Sequence, residues 1–265
     1  MNVLKQFDLS GKVAVVTGGA RGLGRQAALA LAEAGADVAI CGRSTDGTPT
    51  SQEIEAMGRH SFFAKVDVTK STEIEPFVDD VIGRFGKIDI LVNNAGIGTR
   101  GQSLEAVSDA EWHEFMDGIM NCMFYMAKPV ARHMIERQQT GDGEGGVIIN
   151  MTSINAFIIS NIAPRYNVPY CVAKAGVAHL TRGMATNWAP HKIRVNGIAP
   201  GFIITEMGST LMKFPDIMNR MLAGQPIGRF GQVEEIKGAV LFLASEAPSY
   251  MTGGIVVLDG GATLW

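Results

Sequence analysis

The pair Tyr170 and Lys174 is the part of the sequence best suited to acid–base chemistry. The two residues are four positions apart, so on a helix both side chains lie on one face. A free tyrosine has a pKa of about 10 and exchanges protons poorly at neutral pH, whereas a neighbouring ammonium favours the phenolate and lowers that pKa. The spacing therefore predicts proton transfer by Tyr170, assisted by Lys174. The alternative is plain helix surface, which is the usual meaning of an isolated Tyr-x-x-x-Lys.

A glycine-rich string near the N-terminus has the form of a phosphate-binding loop. The string TGGARGLG, residues 17–24, follows an apolar run and opens a helical pattern. Glycines at such a turn permit a tight bend and let backbone N–H groups approach a pyrophosphate at the positive end of the helix dipole. We therefore predict that Gly18, Gly22 and Gly24 bind a dinucleotide, the alternative being a flexible turn.

The second apolar run ends without the carboxylate that holds the ribose 2′-hydroxyl group of NAD. Gly42 stands at that position, and Arg43 and Ser44 follow it. Arg43, with Arg21 in the glycine-rich loop, has the bidentate geometry that suits a 2′-phosphate. The sequence therefore favours NADP(H) as the cofactor, with Ser44 in the same site. The alternative is that both arginines are solvated surface residues.

Apolar runs that alternate with helical patterns must position these residues. The strand candidates are Val13–Thr17, Val38–Cys41, Ser61–Val66, Ile88–Asn93, Val147–Met151, Ile193–Ile198 and Ile255–Leu258. The helix candidates include Leu23–Glu33, Glu73–Phe85, Ala110–Glu136 and Val172–Trp188. Strands separated by helices need crossover connections, which predict an α/β fold of the Rossmann type: a doubly wound, mainly parallel seven-stranded sheet with helices on both faces. We expect a single domain over residues 1–265, because no repeat interrupts the alternation.

Composition and charge point to a small-molecule partner. The 265 residues are 46% hydrophobic and 18% charged, which is enough to bury one large core. A net charge of −3 argues against nucleic acid or an anionic membrane as a partner, since both attract clustered Lys and Arg. The three cysteines are widely spaced, which is typical of a reducing compartment, so we expect a cytoplasmic protein. The five histidines have no ligand spacing, so no catalytic metal is expected.

Several motifs in a defined order make the chain resemble the short-chain dehydrogenase/reductase family over essentially its whole length. Besides TGGARGLG and the Tyr170–Lys174 pair, they are DVT (67–69), NNAG (93–96), Ser153, Asn196 with PGFIIT (200–205), and LDGG (258–261). Each motif is moderately specific, but their order together is not a chance match. Within the family, the chain resembles NADP-dependent hydroxysteroid dehydrogenases and members of the gluconate 5-dehydrogenase type.

The resemblance implies a catalytic triplet of Ser153, Tyr170 and Lys174. Ser153 would hold the substrate's carbonyl or alkoxide oxygen, and Lys174 would also hold the ribose hydroxyl groups at the nicotinamide end. The family also implies a homotetramer built partly through the long helices 110–136 and 172–188. Further cofactor contacts implied by the resemblance, which could otherwise be ordinary strand ends and turns, are Leu23, Asp67, Val68, Asn94, Ala95, Gly96, Pro200, Gly201, Ile203 and Thr205.

The chain departs from the family pattern in the gap between Ser153 and the catalytic tyrosine. This gap is a few residues longer than usual, and Tyr166 stands at the more usual distance. The residue four positions beyond Tyr166 is Tyr170 instead of a lysine, so Tyr166 lacks the ammonium that the mechanism needs. We therefore assign catalysis to Tyr170 and treat Tyr166 as a substrate-pocket residue on an enlarged loop.

A second departure concerns an asparagine that many relatives use to hold a water in the proton relay. Aligning Trp112 and Phe124 without gaps places Ile119 at that position, with Asn121 two residues later. Two residues are about 200° apart around a helix, so Asn121 cannot substitute unless the helix is locally distorted.

The substrate is less well indicated. Residues 206–230 correspond to the family's substrate loop and are rich in methionine, which makes adaptable apolar walls; Met207 is predicted to line the pocket. With Phe157, Ile158 and Ile159 on the enlarged loop, this favours a hydrophobic substrate such as a hydroxysteroid. The alternative is that the methionine-rich residues pack against the core or a partner subunit.

We therefore expect an NADP(H)-dependent oxidoreductase that interconverts a ketone and a secondary alcohol. Two alternatives remain open. The first is a sugar-acid or polyol dehydrogenase of the gluconate 5-dehydrogenase type. The second, which Ile119 motivates, is an NADP(H)-binding sensor or scaffold with little turnover, although a binding protein would not need the intact triplet.

Overall fold

A computed structural model describes residues 2–98, 102–141, 143, 145–159, 167–205 and 215–264. The strands in this part of the chain are β1 Val13–Thr17, β2 Asp37–Gly42, β3 Ser61–Lys65, β4 Ile90–Asn93, β5 Gly146–Met151, β6 Ile193–Pro200 and β7 Ile255–Leu258. The helices in the same ranges are α1 Gly22–Glu33, α2 Thr48–Ala56, α3 Ser71–Phe85, α4 Asp109–Phe115, α5 Cys122–Thr140, α6 Val168–Trp188, α7 Pro215–Ala223 and α8 Ile236–Ala244.

The strands form one parallel sheet. Across the described residues its seven strands lie in the order β3-β2-β1-β4-β5-β6-β7, and every neighbouring pair is parallel. The chain runs outward in one direction from β1 to β3 and then in the other from β4 to β7. The predicted doubly wound sheet is confirmed, and the reversal leaves a crevice at the carboxyl ends of β1 and β4.

Side chains of β1 alternate between two apolar clusters, one on each face of the sheet. Ala14 and Val16 pack with α1 and α8, whereas Val13 and Val15 pack with α3, α5 and α6. Every residue of β1 and β4 is buried, as expected of strands covered on both faces. The sequence patterns therefore placed the central strands correctly, although they did not identify α2, α7 and α8.

Two helices differ from their predicted bounds. The predicted helix Ala110–Glu136 is interrupted, because a π-helical turn at Met116–Asn121 separates α4 from α5. Helix α6 begins at Val168, earlier than predicted, because Asn167 caps it and Pro169 occupies the first turn, where a missing backbone N–H costs nothing. The earlier start brings Tyr170 into the helix.

Asp89, just before β4, is a buried carboxylate that ties β1 to α5. It accepts hydrogen bonds from the backbone N–H of Val13 at 2.9 Å and from Arg137 at 3.0 Å, and it lies 3.2 Å from the ammonium of Lys87. Burial alone would raise the pKa of Asp89, but these contacts hold it below the ordinary value. The carboxylate therefore stays charged in the folded state.

Three further observations concern membrane-spanning helices, cysteines and potential metal ligands. In the described ranges, none of the helices has both the length and the apolar character required to cross a bilayer. Cys41, Cys122 and Cys171 are free and buried. No cluster of three potential metal ligands occurs among the described residues, and the absence of a catalytic metal stays a prediction.

We predict that Asp89→Asn lowers the free energy of unfolding at pH 7 by about 2 to 3 kcal/mol, because Arg137 and the N–H of Val13 lose a buried anionic partner. Urea unfolding would measure this. The exposed pair Asp80–Arg84 gives a control, since Asp80→Asn should cost less than about 0.5 kcal/mol. The folded pKa of Asp89 is depressed, so its contribution is present above the unfolded pKa of about 3.9 and is lost as the pH falls through the folded value. An Asp89→Asn effect as small as that of Asp80→Asn would contradict the prediction.

Candidate active site

A groove of about 350 Å³ runs across the carboxyl ends of the strands. It brings together every sequence-predicted catalytic and cofactor-binding residue, all of which are described: Gly18, Arg21, Gly22, Leu23, Gly24, Arg43, Ser44, Asp67, Val68, Asn94, Ala95, Gly96, Ser153, Tyr170, Lys174, Pro200, Gly201, Ile203 and Thr205. The two predicted substrate-pocket residues, Tyr166 and Met207, lie outside the described residues.

The glycine-rich loop lies where β1 meets α1, and the neighbouring strand holds it. Asn94 and Ala95, at the end of β4, donate their backbone N–H groups to the hydroxyl of Thr17 at 2.9 and 3.0 Å. A Cβ on Gly24 would collide with the carbonyl of Gly18, so this close approach requires glycine. Gly22 has a positive φ of 55°, and the space where its Cβ would lie holds no atom within 4 Å. The loop thus presents open backbone to the groove, as a phosphate cradle must.

At the far end of the groove, Arg43 follows β2 and lies beside Asp67. The guanidinium is 3.6 Å from the Asp67 carboxylate, and its side chain remains 59% exposed. Burial opposes the charged form of Asp67, but hydrogen bonds from Thr69 and the charge of Arg43 keep its pKa below the ordinary value. The groove therefore ends at the accessible guanidinium of Arg43. Gly42 occupies the position at which an NAD-binding protein would have a carboxylate.

The predicted catalytic residues meet where β5 ends and α6 begins. Ser153 follows β5 and is 8% exposed, and it lines the groove with Tyr170, which lies on the first turn of α6. Lys174, one turn further along α6, is 5% exposed and donates its ammonium to the carbonyl of Met151 at 2.7 Å. The hydroxyl of Thr152 donates to the backbone carbonyl of Lys174 at 3.0 Å. Two hydrogen bonds therefore pin α6 to the end of β5.

Burial dominates the protonation of this pair. It lowers the pKa of the Lys174 ammonium to about 8, against a small opposing effect of the Cys122 thiol. Burial also raises the pKa of the Tyr170 phenol, and the hydrogen bond with Ser153 offsets only part of the increase. The ammonium lies 5.8 Å from the centre of the Tyr170 ring. In this state burial outweighs any lowering by Lys174, so the pKa of Tyr170 lies above its ordinary value and the phenol is protonated at neutral pH.

The π-helical turn Met116–Asn121 lies at the position of the missing relay asparagine. Ile119 is fully buried in the turn, and Gly118 lines the groove. The side chain of Asn121 donates to Asp117 at 2.6 Å within the same turn. Asn121 could take the place of the relay asparagine only if the helix were locally distorted, and the π-helical turn is such a distortion. Asn121 nevertheless does not line the groove.

The groove also contains residues that the sequence interpretation missed. Some of these residues are next to predicted motifs in the sequence, and that position could have identified them. Gly118 is not next to such a motif, and it lies in the π-helical turn that contributes backbone to the groove. These residues are Ala20, Thr45, Val66, Ile97, Gly118, Met151 and Thr152. Gly42 and Thr69 also line the groove; the sequence analysis named both without assigning them a contact.

Comparisons with known proteins agree with this arrangement. A family profile described as Enoyl-(Acyl carrier protein) reductase matches residues 18–263. Gluconate 5-dehydrogenase of Gluconobacter oxydans (strain 621H) is 39% identical over 259 residues, which cover 97% of each chain. A gluconate 5-dehydrogenase from Burkholderia cenocepacia J2315, solved in complex with NADP and tartrate, has a TM-score of 0.91 at 36% identity and covers 100% of both chains.

A short-chain type dehydrogenase/reductase from Mycobacterium marinum has a TM-score of 0.92 at 40% identity over 99% of both chains. Similarity of this degree extends from the glycine-rich loop to the last strand, and it includes the groove and the helix that carries Tyr170 and Lys174. The ordered motifs, the parallel sheet and these full-length matches together establish that the chain belongs to the short-chain dehydrogenase/reductase family.

Proposed function

We propose that the protein is an NADP(H)-dependent oxidoreductase that interconverts a ketone and a secondary alcohol. The observation that carries the proposal is the single groove that holds Ser153, Tyr170 and Lys174 near one end and Arg43 at the other. Family membership supports the oxidoreductase class. The complete triplet weighs against the sensor or scaffold alternative, because a binding protein would not need it.

The residues of the groove fit NADP(H). The open backbone at Gly22 and the positive end of the α1 dipole suit the pyrophosphate, and Arg43 suits the 2′-phosphate. Lys174 has two ammonium N–H groups beyond the one that Met151 accepts, and these suit the ribose hydroxyl groups at the nicotinamide end. When bound, the cofactor supplies or accepts the hydride. Structural relatives solved with NADP support the choice of cofactor.

Tyr170 and Ser153 carry out the proton chemistry in this proposal. In reduction, the protonated phenol of Tyr170 donates its proton to the substrate's carbonyl oxygen, while the Ser153 hydroxyl donates a hydrogen bond to the same oxygen as negative charge develops. In oxidation, the Tyr170 phenolate accepts the proton of the alcohol. The raised pKa of Tyr170 favours the proton-donating form at neutral pH. The Lys174 cation stabilises the phenolate that remains after proton donation.

We propose a sugar acid or polyol as the substrate class, in preference to a hydroxysteroid. Phe157 and Ile159 are exposed, at 48% and 54%, and motivated the steroid interpretation. Full-length relatives are named instead for gluconate and galactitol, and a structural relative was solved with tartrate. Polyhydroxylated ligands of this kind support the sugar-acid alternative over the steroid.

We also propose a homotetramer and a cytoplasmic location. Phe124 on α5 and Val172 on α6 are 43% and 42% exposed, and apolar side chains on the two helices are consistent with subunit contacts there. The free cysteines are consistent with a reducing compartment.

Tyr170→Phe should lower kcat for ketone reduction by a factor of about 10² to 10⁴, since it removes the proton donor and keeps the ring. NADPH oxidation over a panel of sugar acids, polyols, ketoses and steroids measures this. The fully exposed Tyr250 provides the matched control, and Tyr250→Phe should retain wild-type rates. If wild type and Tyr170→Phe bind NADPH equally and are inert on every compound, the enzyme proposal fails.

Arg43→Ala should weaken NADPH binding by about 10- to 100-fold while NADH binding changes little, because only NADPH has the 2′-phosphate that the guanidinium binds. Fluorescence titration of the two reduced cofactors gives both dissociation constants. Arg132→Ala, on the exposed face of α5, controls for the loss of one positive charge. Equal losses for both cofactors would refute the role of Arg43.

Sedimentation equilibrium should give a species of four times the chain mass of 28.3 kDa. Phe124→Glu should shift it to smaller species, because a charge replaces an apolar contact between subunits. Leu104→Glu should not, since Leu104 is an exposed apolar residue that belongs to neither α5 nor α6. A wild-type monomer would disprove the tetramer.

A further inference from the structure

Asp67, two residues beyond β3, brings a carboxylate to the end of the groove at which β2 has none. Strands β2 and β3 are parallel neighbours, and Gly42 is the register partner of Lys65, so both strands end at the same edge of the sheet. Arg43 and Asp67 follow these strand ends, and both line the groove. The acid that the sequence lacks at Gly42 is therefore present beside Arg43, because the pairing of the two strands brings it there.

Hydrogen bonds fix the direction of the Asp67 carboxylate. Its Oδ1 accepts from the backbone N–H and the hydroxyl of Thr69 at 3.1 and 2.8 Å. Its own backbone N–H donates at 2.8 Å to Glu73, which lies in the first turn of α3. Oδ2 is 3.6 Å from Nη1 of Arg43, and the Asp67 side chain is 14% exposed. The carboxylate is thus held beside the guanidinium at the wall of the groove.

The pair acts more through charge than through orientation. A separation of 3.6 Å exceeds the length of an N–H···O hydrogen bond, so the contact does little to orient the guanidinium. If Nη1 binds an oxygen of a 2′-phosphate at about 2.9 Å from its present position, that oxygen lies within about 6.5 Å of the carboxylate. This distance is shorter than the Debye length of about 8 Å at physiological salt, so the two anions repel each other.

We propose that Asp67 is a specificity-determining residue whose carboxylate lowers the preference of the protein for NADPH over NADH. The carboxylate competes with the 2′-phosphate for the guanidinium of Arg43, and it also repels the phosphate directly. NADH has a neutral hydroxyl group in place of this phosphate, so the carboxylate has little effect on its affinity. This inference rests on the proposed role of Arg43 and deepens it.

Asp67→Asn tests this, because asparagine keeps an oxygen for Thr69 and removes the charge. Fluorescence titration gives the ratio of the NADH and NADPH dissociation constants, in which effects on the shared adenine and pyrophosphate cancel. The ratio should rise by about 3- to 10-fold in Asp67→Asn. Asp80→Asn removes an equal charge from the exposed pair with Arg84 and should leave the ratio unchanged. An unchanged or lower ratio in Asp67→Asn would overturn the proposal.

A second variant and the ionic strength distinguish the charge effect from a structural one. Asp67→Ser also removes the charge and keeps an oxygen for Thr69, so it should raise the ratio too, and it decides alone if Asp67→Asn does not fold. Both increases should shrink to less than about 2-fold at about 1 M salt, where the Debye length is about 3 Å. A rise in only one of two folded variants, or one that persists at high salt, would contradict an effect of charge.

The outcomes for Asp67 and for Arg43 can be told apart. If Arg43→Ala lowers the ratio and Asp67→Asn leaves it unchanged, Arg43 keeps its proposed role and the inference about Asp67 fails. If Arg43→Ala leaves the ratio unchanged, the role of Arg43 fails, and a raised ratio in Asp67→Asn would then support repulsion of the phosphate by the carboxylate alone. Both dissociation constants are measured without substrate, so neither result depends on whether the protein reduces a ketone.

Discussion

The removal of the Lys174 ammonium from water is the constraint on which the site depends. Burying an ammonium costs several kcal/mol, and one carbonyl, that of Met151, is the hydrogen-bond partner that the described residues provide. The hydrogen bond to Met151 offsets part of this cost, and the bond from Thr152 pins α6 to the end of β5 so that the ammonium stays in place. The apolar cluster that includes Ile119 and Ala173 adds to the burial and therefore to the lowering of the pKa of Lys174. A partly solvated lysine would keep an ordinary pKa and would not need partners from a ligand.

The strand order of the sheet determines which residues share an edge with Lys174. The strand order reverses between β1 and β4, so the glycine-rich loop and the reaction centre share one edge of the sheet. Three interstrand steps separate β2, which ends before Arg43, from β5, which ends before Ser153. At about 4.8 Å a step this is about 14 Å, a span that suits an elongated dinucleotide lying across the strand ends.

The helix before the reaction centre is irregular where it passes the groove, because a π-helical turn interrupts it at Met116–Asn121. Ile119 lies in the apolar cluster behind Lys174 and exposes nothing to solvent, whereas Gly118 contributes backbone to the groove. A regular helix turns by about 100° per residue and has all of its carbonyls bonded, while a π-helical turn widens the ring and shifts the residues that follow. The same π-helical turn thus places Ile119 in the apolar cluster and the backbone of Gly118 in the wall of the groove.

How much could be read from the sequence differs between contact types. The alternation of apolar runs with helical patterns was sufficient to predict the parallel sheet. Short motifs, such as the glycine-rich loop, the Tyr170–Lys174 pair and the position of Arg43, predicted residues that line the groove, because both signals depend on spacing along the chain. The other predicted groove residues followed from the family resemblance. The pKa of Tyr170 depends on how completely other segments exclude water, and the π-helical turn was visible only in the folded backbone. Burial is a property of the packed molecule, so only the tertiary structure decided the charge states of Tyr170 and Lys174 in this site.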